Sequence, residues 1–580
     1  MTISKAADGL YHPTSEEELI ELVKLAKKEE LIIRCRGSAH SVSLAIYTDP
    51  IKGVENRVNQ EEPPITDNIN CMLDQYRNIE VIDEEQRIVL VDAGINLGID
   101  PFDPTHTSTW ENSLLQQLAN DYGWTVSNLG GIDFQTVGGF MATGSSGGSI
   151  THSIHDNFWG MRIIDGNGEV YEVKMDDPDD PDHEKFYAAG VSMGLFGMVS
   201  KIYLKCVPVY NIQGQEASTR AADASMQVFT DDPHDPRPSL ETFLREVEYT
   251  RLMWWPQQGI DQVVTWQAQR IEPVPGFRRS PYQEFSNYPN VGEPVCSIFY
   301  ITMGNLPDLS KVKTELDYSF LKFKEGLTAF LENTFIGKLG GPLASAISAL
   351  ARLVLHGSVA LARPYLIKHR PTAFAWFIRT FQGLDSDKSG MSKDTPQSFQ
   401  DWGWKGLPMD NSASDDLMPT EFTEIWIPVT RAQQVMQLLK AYFDQATDIH
   451  DAYERTGYYA IELYGSKPNP FWMSMAYSDG EDEWKDGVIR LDIFWFEFNQ
   501  GNPAEIFFPR FWNMLREHDI PNRLHWGKYH PVLADGDPDG WVDFYKAQYP
   551  HWDDFLAMRA EKDPAGIFLN DYWRRHLGIE

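Results

Sequence analysis

At 580 residues the chain is too long for one hydrophobic core, so two or more domains are expected. Its formal net charge of −34 repels nucleic acid and anionic membrane surfaces alike, which excludes both as partners of choice. Its four cysteines, Cys35, Cys71, Cys206 and Cys296, lie far apart with no CxxC pair, so neither a disulfide framework nor a zinc site is expected.

Residues 1–8 hold no apolar run that would serve as a secretory signal, and no stretch of about twenty apolar residues is present to span a membrane. The default location is therefore the cytoplasm. Ser15 to Glu30 reads as a helix, followed by a short apolar strand, Leu31-Ile32-Ile33, and then Arg34-Cys35-Arg36-Gly37-Ser38-Ala39-His40-Ser41. A strand ending in Arg-Gly-Ser suits a pyrophosphate, because glycine lets backbone N–H groups approach the anion closely. His40 is then held beside whatever cofactor that pyrophosphate belongs to. Taken alone the motif is read more readily as an ordinary surface loop with a stray histidine.

Further along, Ile79 to Ile82 and Arg87 to Val91 are strand-like runs joined by Asp83-Glu84-Glu85-Gln86, which predicts a hairpin. Ser113 to Tyr122 is helical in pattern. Trp159 to Val173 reads as a second hairpin around Asp165-Gly166-Asn167-Gly168, and Met198 to Val207 as the strand closing a first domain at residue 208. From 209 to 545, strand-like runs (251–255, 262–269, 296–303, 422–428 and 488–498) alternate with helical ones (431–446 and 504–517), which predicts an antiparallel sheet flanked by helices. Residues 546–580 form a closing segment. The stretch 319–381, with Ile336-Gly337-Lys338-Leu339-Gly340-Gly341, reads as a helical insertion within about 310–400. Its sharper reading is an amphipathic lid or membrane patch, against which the missing basic face counts.

Between the two hairpins runs a dense glycine loop, Asn128 to Ser149, rich in backbone N–H groups and small hydroxyls. It suits an extended phosphate and a flat heterocycle lying against main chain. It is neither a Walker loop nor a G-x-G-x-x-G turn opening a helix.

The order of these parts (the Arg-Gly-Ser-x-His-Ser turn, Val91-Asp92-Ala93-Gly94, the glycine loop, then Gly194-Leu195-Phe196-Gly197-Met198-Val199) resembles the FAD domain of the vanillyl-alcohol oxidase, or PCMH-type, superfamily. Arg251-Leu252-Met253-Trp254-Trp255, Arg523-Leu524-His525-Trp526-Gly527-Lys528 and the tail Asp563-Pro564-Ala565-Gly566-Ile567-Phe568 resemble its sugar-lactone and alditol oxidase branch. The likeness covers residues 12–208, about 250–270 and 420–580, and leaves 280–400 without a counterpart. It implies an α+β protein. Residues 1–208 would be a two-subdomain FAD-binding domain, 209–545 a substrate domain, and 546–580 a return to the FAD domain.

The same resemblance implies roles. Arg36, Gly37, Ser38, Ala39 and Ser41 would hold the FAD pyrophosphate, and His40 would attach covalently to the flavin 8-methyl group. Gly130, Gly131, Thr136, Gly138, Gly139, Thr143, Ser145, Ser146 and Gly148 would lie along the isoalloxazine and diphosphate, with Val199 meeting the adenine or ribose through its backbone. A second, cysteinyl link has no candidate, since the glycine loop contains no cysteine. For catalysis the branch places Glu-x-Arg on one face of a strand; here Glu462 matches and Tyr464 stands in place of the arginine. Lys528 is then the cation left for the flavin, Glu462 or His525 the group removing a hydroxyl proton, and Asp492 and Glu497 are spare acids.

The implied activity is FAD-dependent oxidation of a CH–OH group in a sugar lactone, alditol or related alcohol, with oxygen as acceptor and hydrogen peroxide as product. Three alternatives stay open: oxidation of a bulkier apolar alcohol such as a sterol, a quinone- or cytochrome-linked dehydrogenase, and a flavoprotein without turnover.

Overall fold

The computed structural model describes residues 3–52, 56–284, 292–303, 316–323, 325, 363–381, 396–409, 418–497 and 499–579. The first helix, Glu16–Glu29, is capped by Ser15, whose side chain accepts the Glu18 N–H, and carries glutamates in its first turn and lysines in its last. It buries Leu19, Leu22, Val23 and Ala26, a stripe at helical spacing, against a core that includes Ile33, Ile69, Ile164 and Ile567. Glu30 takes a left-handed conformation and the Leu31 N–H donates back to the Ala26 carbonyl. This turn delays the strand to β1 (Ile33–Arg36), two residues later than the apolar run suggests. Arg34, Cys35 and Arg36 are therefore strand residues, and Gly37 opens the turn.

Strand β1 pairs in parallel with β2 (Ile69–Met72). The predicted hairpin forms as β3 (Ile79–Asp83) and β4 (Ile88–Asp92). The short β5 (Trp124–Thr125) is followed by the second predicted hairpin, β6 (Phe158–Ile164) and β7 (Val170–Lys174), and then by β8 (Met198–Lys205) and β9 (Val207–Pro208), the last pairing with β5. Strands β3, β4, β8, β6 and β7, in that order, make a five-stranded antiparallel sheet.

Among the described residues the remaining strands form one eight-stranded antiparallel sheet. They are β10 (Asn211–Arg220), β11 (Tyr249–Trp255), β12 (Gln262–Ile271), β13 (Gln397–Trp402), β14 (Thr420–Pro428), β15 (Ile461–Ser466), β16 (Val488–Phe496) and β17 (Arg523–Leu524), in the spatial order β13-β10-β12-β11-β15-β16-β14-β17. Helix Ala432–Asp444 turns Val435, Met436, Leu439 and Phe443 inward, and helix Pro509–Glu517 does the same with Phe511, Trp512 and Leu515. The α+β class and the antiparallel sheet flanked by helices are as expected.

One element differs. The run Cys296–Met303 is helical, within Gly292–Met303, because a short apolar run fits a buried helix as well as a strand and Pro294 suits a first helical turn. That helix packs on a second, Arg370–Phe381, with the Phe299 and Phe377 rings stacked 3.9 Å apart and Tyr300 edge-on to Phe374. Both rest on an aromatic cluster with Trp255, Tyr453 and Phe496. Within 319–381 the described residues are mostly helical, and the far end of the insertion joins β13. Ile336-Gly337-Lys338, which carried the lid or membrane reading, lies outside the described residues. Among the described residues no helix is long and apolar enough to cross a membrane.

The C-terminal stretch returns to β1: the Ile33 N–H donates to the Ile567 carbonyl and Arg34 to that of Phe568.

Candidate active site

A long cavity lies between β1, its following turn and the glycine loop on one side, and β14, β15, β16 and residues 525–528 on the other. Arg34 props up the first wall from behind, donating to the carbonyls of Ala45, Met193 and Phe568, and burial lowers its pKa to about 10. Arg36 donates to the carbonyls of Gly37 and Glu61. Ala39 sits at φ +54, so the chain reverses there, and its carbonyl accepts both the Ser41 and Asn59 N–H groups. Gly37 is pressed so tightly on Thr136 that a Cβ would lie 2.1 Å from Thr136 Oγ1. Thr136 itself caps the short helix Val137–Ala142.

Not every expected contact is available to a ligand. The Ser38 hydroxyl donates to the Phe134 carbonyl (2.6 Å) and accepts from Asn96 Nδ2 (3.0 Å), so only its main chain is left for a phosphate. Gly148 lies outside the cavity wall: its carbonyl accepts the Thr250 N–H, and Met409 fills the space where a Cβ would be. It anchors the loop to β11 instead. Gly130, Gly131, Gly138, Gly139, Thr143, Ser145, Ser146, Ser41 and Val199 do form part of the wall.

His40 donates from Nδ1 to Asn59 Oδ1 (2.8 Å) and packs against the Phe134 and Phe422 rings. Burial, and then the nearby Lys528 charge, hold its pKa well below the ordinary value, so the ring is neutral. His525 is tied at both nitrogens: Nδ1 accepts the Gly527 N–H (3.1 Å), which leaves the proton on Nε2 to be donated to Ser145 Oγ (2.9 Å). Burial lowers its pKa to about 4. His525 therefore positions Ser145 rather than standing ready as a base. Lys528 Nζ donates to the His40 carbonyl and lies 4.2 Å from the centre of the Phe422 ring.

The opposite wall follows from strand alternation. Thr420, Phe422 and Glu424 face the cavity from β14, Arg490, Asp492 and Phe494 from β16, and Glu462 from β15. The register sets Glu424 opposite Asp492, and Asp492 opposite Glu462, so three carboxylates form a row across three strands. Arg490 grips Asp492 through Nε (3.0 Å) and Nη2 (2.5 Å) and lies 3.8 Å from Glu424, which also accepts from Trp426 Nε1. Burial pushes the Glu424 pKa up, but the Arg490 and Lys528 charges and the Trp426 N–H more than offset this and hold it below the usual carboxylate range. Glu462 accepts from the Tyr464 hydroxyl (2.7 Å). Tyr464 itself stands behind the wall, under the Arg490 guanidinium at 4.1 Å.

Glu497 is paired with Arg57 away from the cavity. Arg490, Glu424 and the rings of Phe422, Tyr459 and Phe494 were not singled out by sequence reasoning. Period-two spacing in Thr420-x-Phe422-x-Glu424 and Arg490-x-Asp492-x-Phe494 was the signal available.

The glycine-walled side fits a flavin dinucleotide. Arg36 Nε and Gln135 Oε1 are buried in the wall without a partner among the described residues, one donor and one acceptor awaiting a ligand. Among the described residues, the N–H groups of Gly37, Ser38 and Ala39 likewise meet no acceptor, an arrangement that suits phosphate oxygens.

The model of the D-arabinono-1,4-lactone oxidase family matches residues 413–576, which include Glu424, Glu462, Arg490 and Lys528, and that of an FAD-binding domain matches 109–174, which include the glycine loop. The L-gulonolactone oxidase of Scyliorhinus torazame is 20% identical over 573 residues, covering 98% of this chain and 95% of the relative. The D-arabinono-1,4-lactone oxidase of Kluyveromyces lactis is 26% identical over 272 residues, covering 47% of this chain and 43% of its own. Among solved structures, cholesterol oxidase from Brevibacterium sterolicum superposes with a TM-score of 0.60 at 14% identity, covering 98% of this chain and 94% of that one. That likeness is one of fold.

Proposed function

We propose that the chain is a PCMH-type FAD-dependent oxidoreductase of the aldonolactone-oxidase branch and that it oxidises the CH–OH group of a sugar lactone or related polyol, with oxygen as the electron acceptor. The observation that carries the reading is the meeting of a glycine-walled dinucleotide cleft with the row Glu424, Asp492 and Glu462 in one cavity. FAD, when bound, supplies the hydride acceptor.

The residues divide the remaining work. Glu462, which faces the cavity from β15, is the base that takes the hydroxyl proton, while Asp492 and Glu424 balance Arg490 and His525 positions Ser145. Tyr464 orients that carboxylate through its hydroxyl. Lys528 holds the His40 turn against the substrate sheet, and His40, neutral and half-buried, is the residue that tethers the cofactor. Phe422, Tyr459 and Phe494 keep water from the reacting corner.

The test is anaerobic mixing of the purified holoprotein with a panel of aldonolactones and alditols while the flavin absorption band is followed, and then peroxide measurement in air. Bleaching by a lactone and peroxide release support the reading. No bleaching by any alcohol contradicts it, and bleaching without peroxide makes the chain a dehydrogenase. A second reading, an alcohol with a bulkier apolar body, is favoured by the aromatic rings above the carboxylate row, and apolar alcohols in the same panel decide it.

A further inference from the structure

Arg490 is a buried cation in the cavity wall, on β16 directly across from Tyr464 on β15. A guanidinium has five N–H bonds. Two of Arg490's go to Asp492 and one, from Nη1, to the Ser146 carbonyl (2.8 Å) in the glycine loop. Among the described residues the other two have no acceptor. The loop is shaped to admit this side chain: Gly147 sits at φ +148, and a Cβ there would lie 2.8 Å from Arg490 Nη1. The aromatic face of Tyr464 supports the guanidinium from below at 4.1 Å. A charged fork with unspent donors, held rigid on three sides and presented at the seam between cofactor loop and substrate sheet, is built to meet an oxygen acceptor that carries or gains negative charge.

We propose that Arg490, reaching in from the strand beside Tyr464, is the cavity cation that stabilises the negative charge left on the flavin when a substrate is oxidised, with Lys528 serving the His40 turn instead. The proposal rests on the FAD-dependent reading of the site. Asp492 tempers this charge by pairing with it, and Tyr464, which bears no charge itself, sets its height.

The sulfite affinity of the bound flavin tests this without any substrate, because the sulfite adduct is an anion that a nearby cation stabilises. Arg490→Met is expected to weaken sulfite binding about 100-fold, the order for removing one buried charge a few ångströms away at an effective dielectric of about 20. Arg490→Lys keeps the charge and stays within about tenfold of the wild type. Lys528→Met, whose ammonium is engaged with the His40 carbonyl and the Phe422 ring, also stays within about tenfold. Asp492→Asn, a near-isosteric change that suits the case where Arg490→Met does not fold, leaves Arg490 with Glu424 as its remaining carboxylate partner and tightens sulfite binding. Loss of sulfite affinity in Lys528→Met with none in Arg490→Met overturns the proposal, as does weaker or unchanged binding in Asp492→Asn. A holoprotein that no alcohol reduces sinks the proposed activity, yet its sulfite titration still reads Arg490.

Discussion

Lys528 donates a hydrogen bond of 2.9 Å to the main-chain carbonyl of His40, joining two residues 488 positions apart. The same ammonium lies over the Phe422 ring, so one buried side chain fastens the turn after β1 to both the C-terminal segment and the substrate sheet. Lys528→Met removes a charge-assisted bond and a cation–π contact while keeping the volume, and should lower unfolding stability by about 2 kcal/mol. Urea unfolding of the two proteins checks the figure, and an unchanged midpoint rules out the fastening role.

His40 and Asn59 make a second pair with a visible consequence. Acid precipitation of the wild-type protein should leave a yellow pellet, and His40→Ala a colourless pellet under a yellow supernatant. Asn59→Leu, which removes the acceptor on His40 Nδ1, should leave a mixture of retained and released flavin. A wild-type pellet that loses all its colour denies the covalent tether.

Several histidines are buried in the neutral form, which ties stability to pH. Burial lowers the pKa values of His155, His525 and His576 to about 4 and those of His40 and His530 well below the ordinary value. Above pH 6.5 neither the folded nor the unfolded chain protonates them. Below it the unfolded chain takes up protons that the folded chain refuses, so stability falls as the pH drops from about 6.5 toward 4, by up to about 1.4 kcal/mol per pH unit for each such histidine. Urea midpoints measured from pH 7 to pH 5 should fall steeply, and the slope should ease in His155→Asn. A flat profile means these rings are not held neutral.

Gly37 tests the close approach in the cofactor wall. Gly37→Ala drives a methyl group into Thr136 and should cost roughly 1–3 kcal/mol as overpacking, with weaker FAD retention. Adding Thr136→Ala removes the opposing atoms and should restore part of both. Thermal unfolding and flavin content of the single and double variants report it, and equal losses in both discount the contact.

Much of this was legible in the sequence because it depends on local chemistry. Arg36-Gly37-Ser38-Ala39-His40 and the glycine loop need main-chain N–H groups close to a ligand, and only a few residue types allow that. The hairpin around 79–91 announced itself by period-two alternation and the one around 159–173 by its turn residues. What depended on pairing between strands was hidden. Tyr464 looked like a lost cation, because the register that sets Arg490 across from it is a tertiary fact joining segments 26 residues apart. Gly148 shares the composition of its neighbours but points its backbone to β11. Cys296–Met303 was apolar enough for either a strand or a helix, and only packing on Arg370–Phe381 decides between them.

The most direct test of the account is stopped-flow bleaching of the flavin by the best substrate of the panel, in wild type and in Glu462→Gln. With Glu462 as the base, the wild-type band bleaches fully under anaerobic conditions and the variant bleaches about 10²- to 10⁴-fold more slowly with its flavin still bound. Bleaching of Glu462→Gln at the wild-type rate contradicts the account.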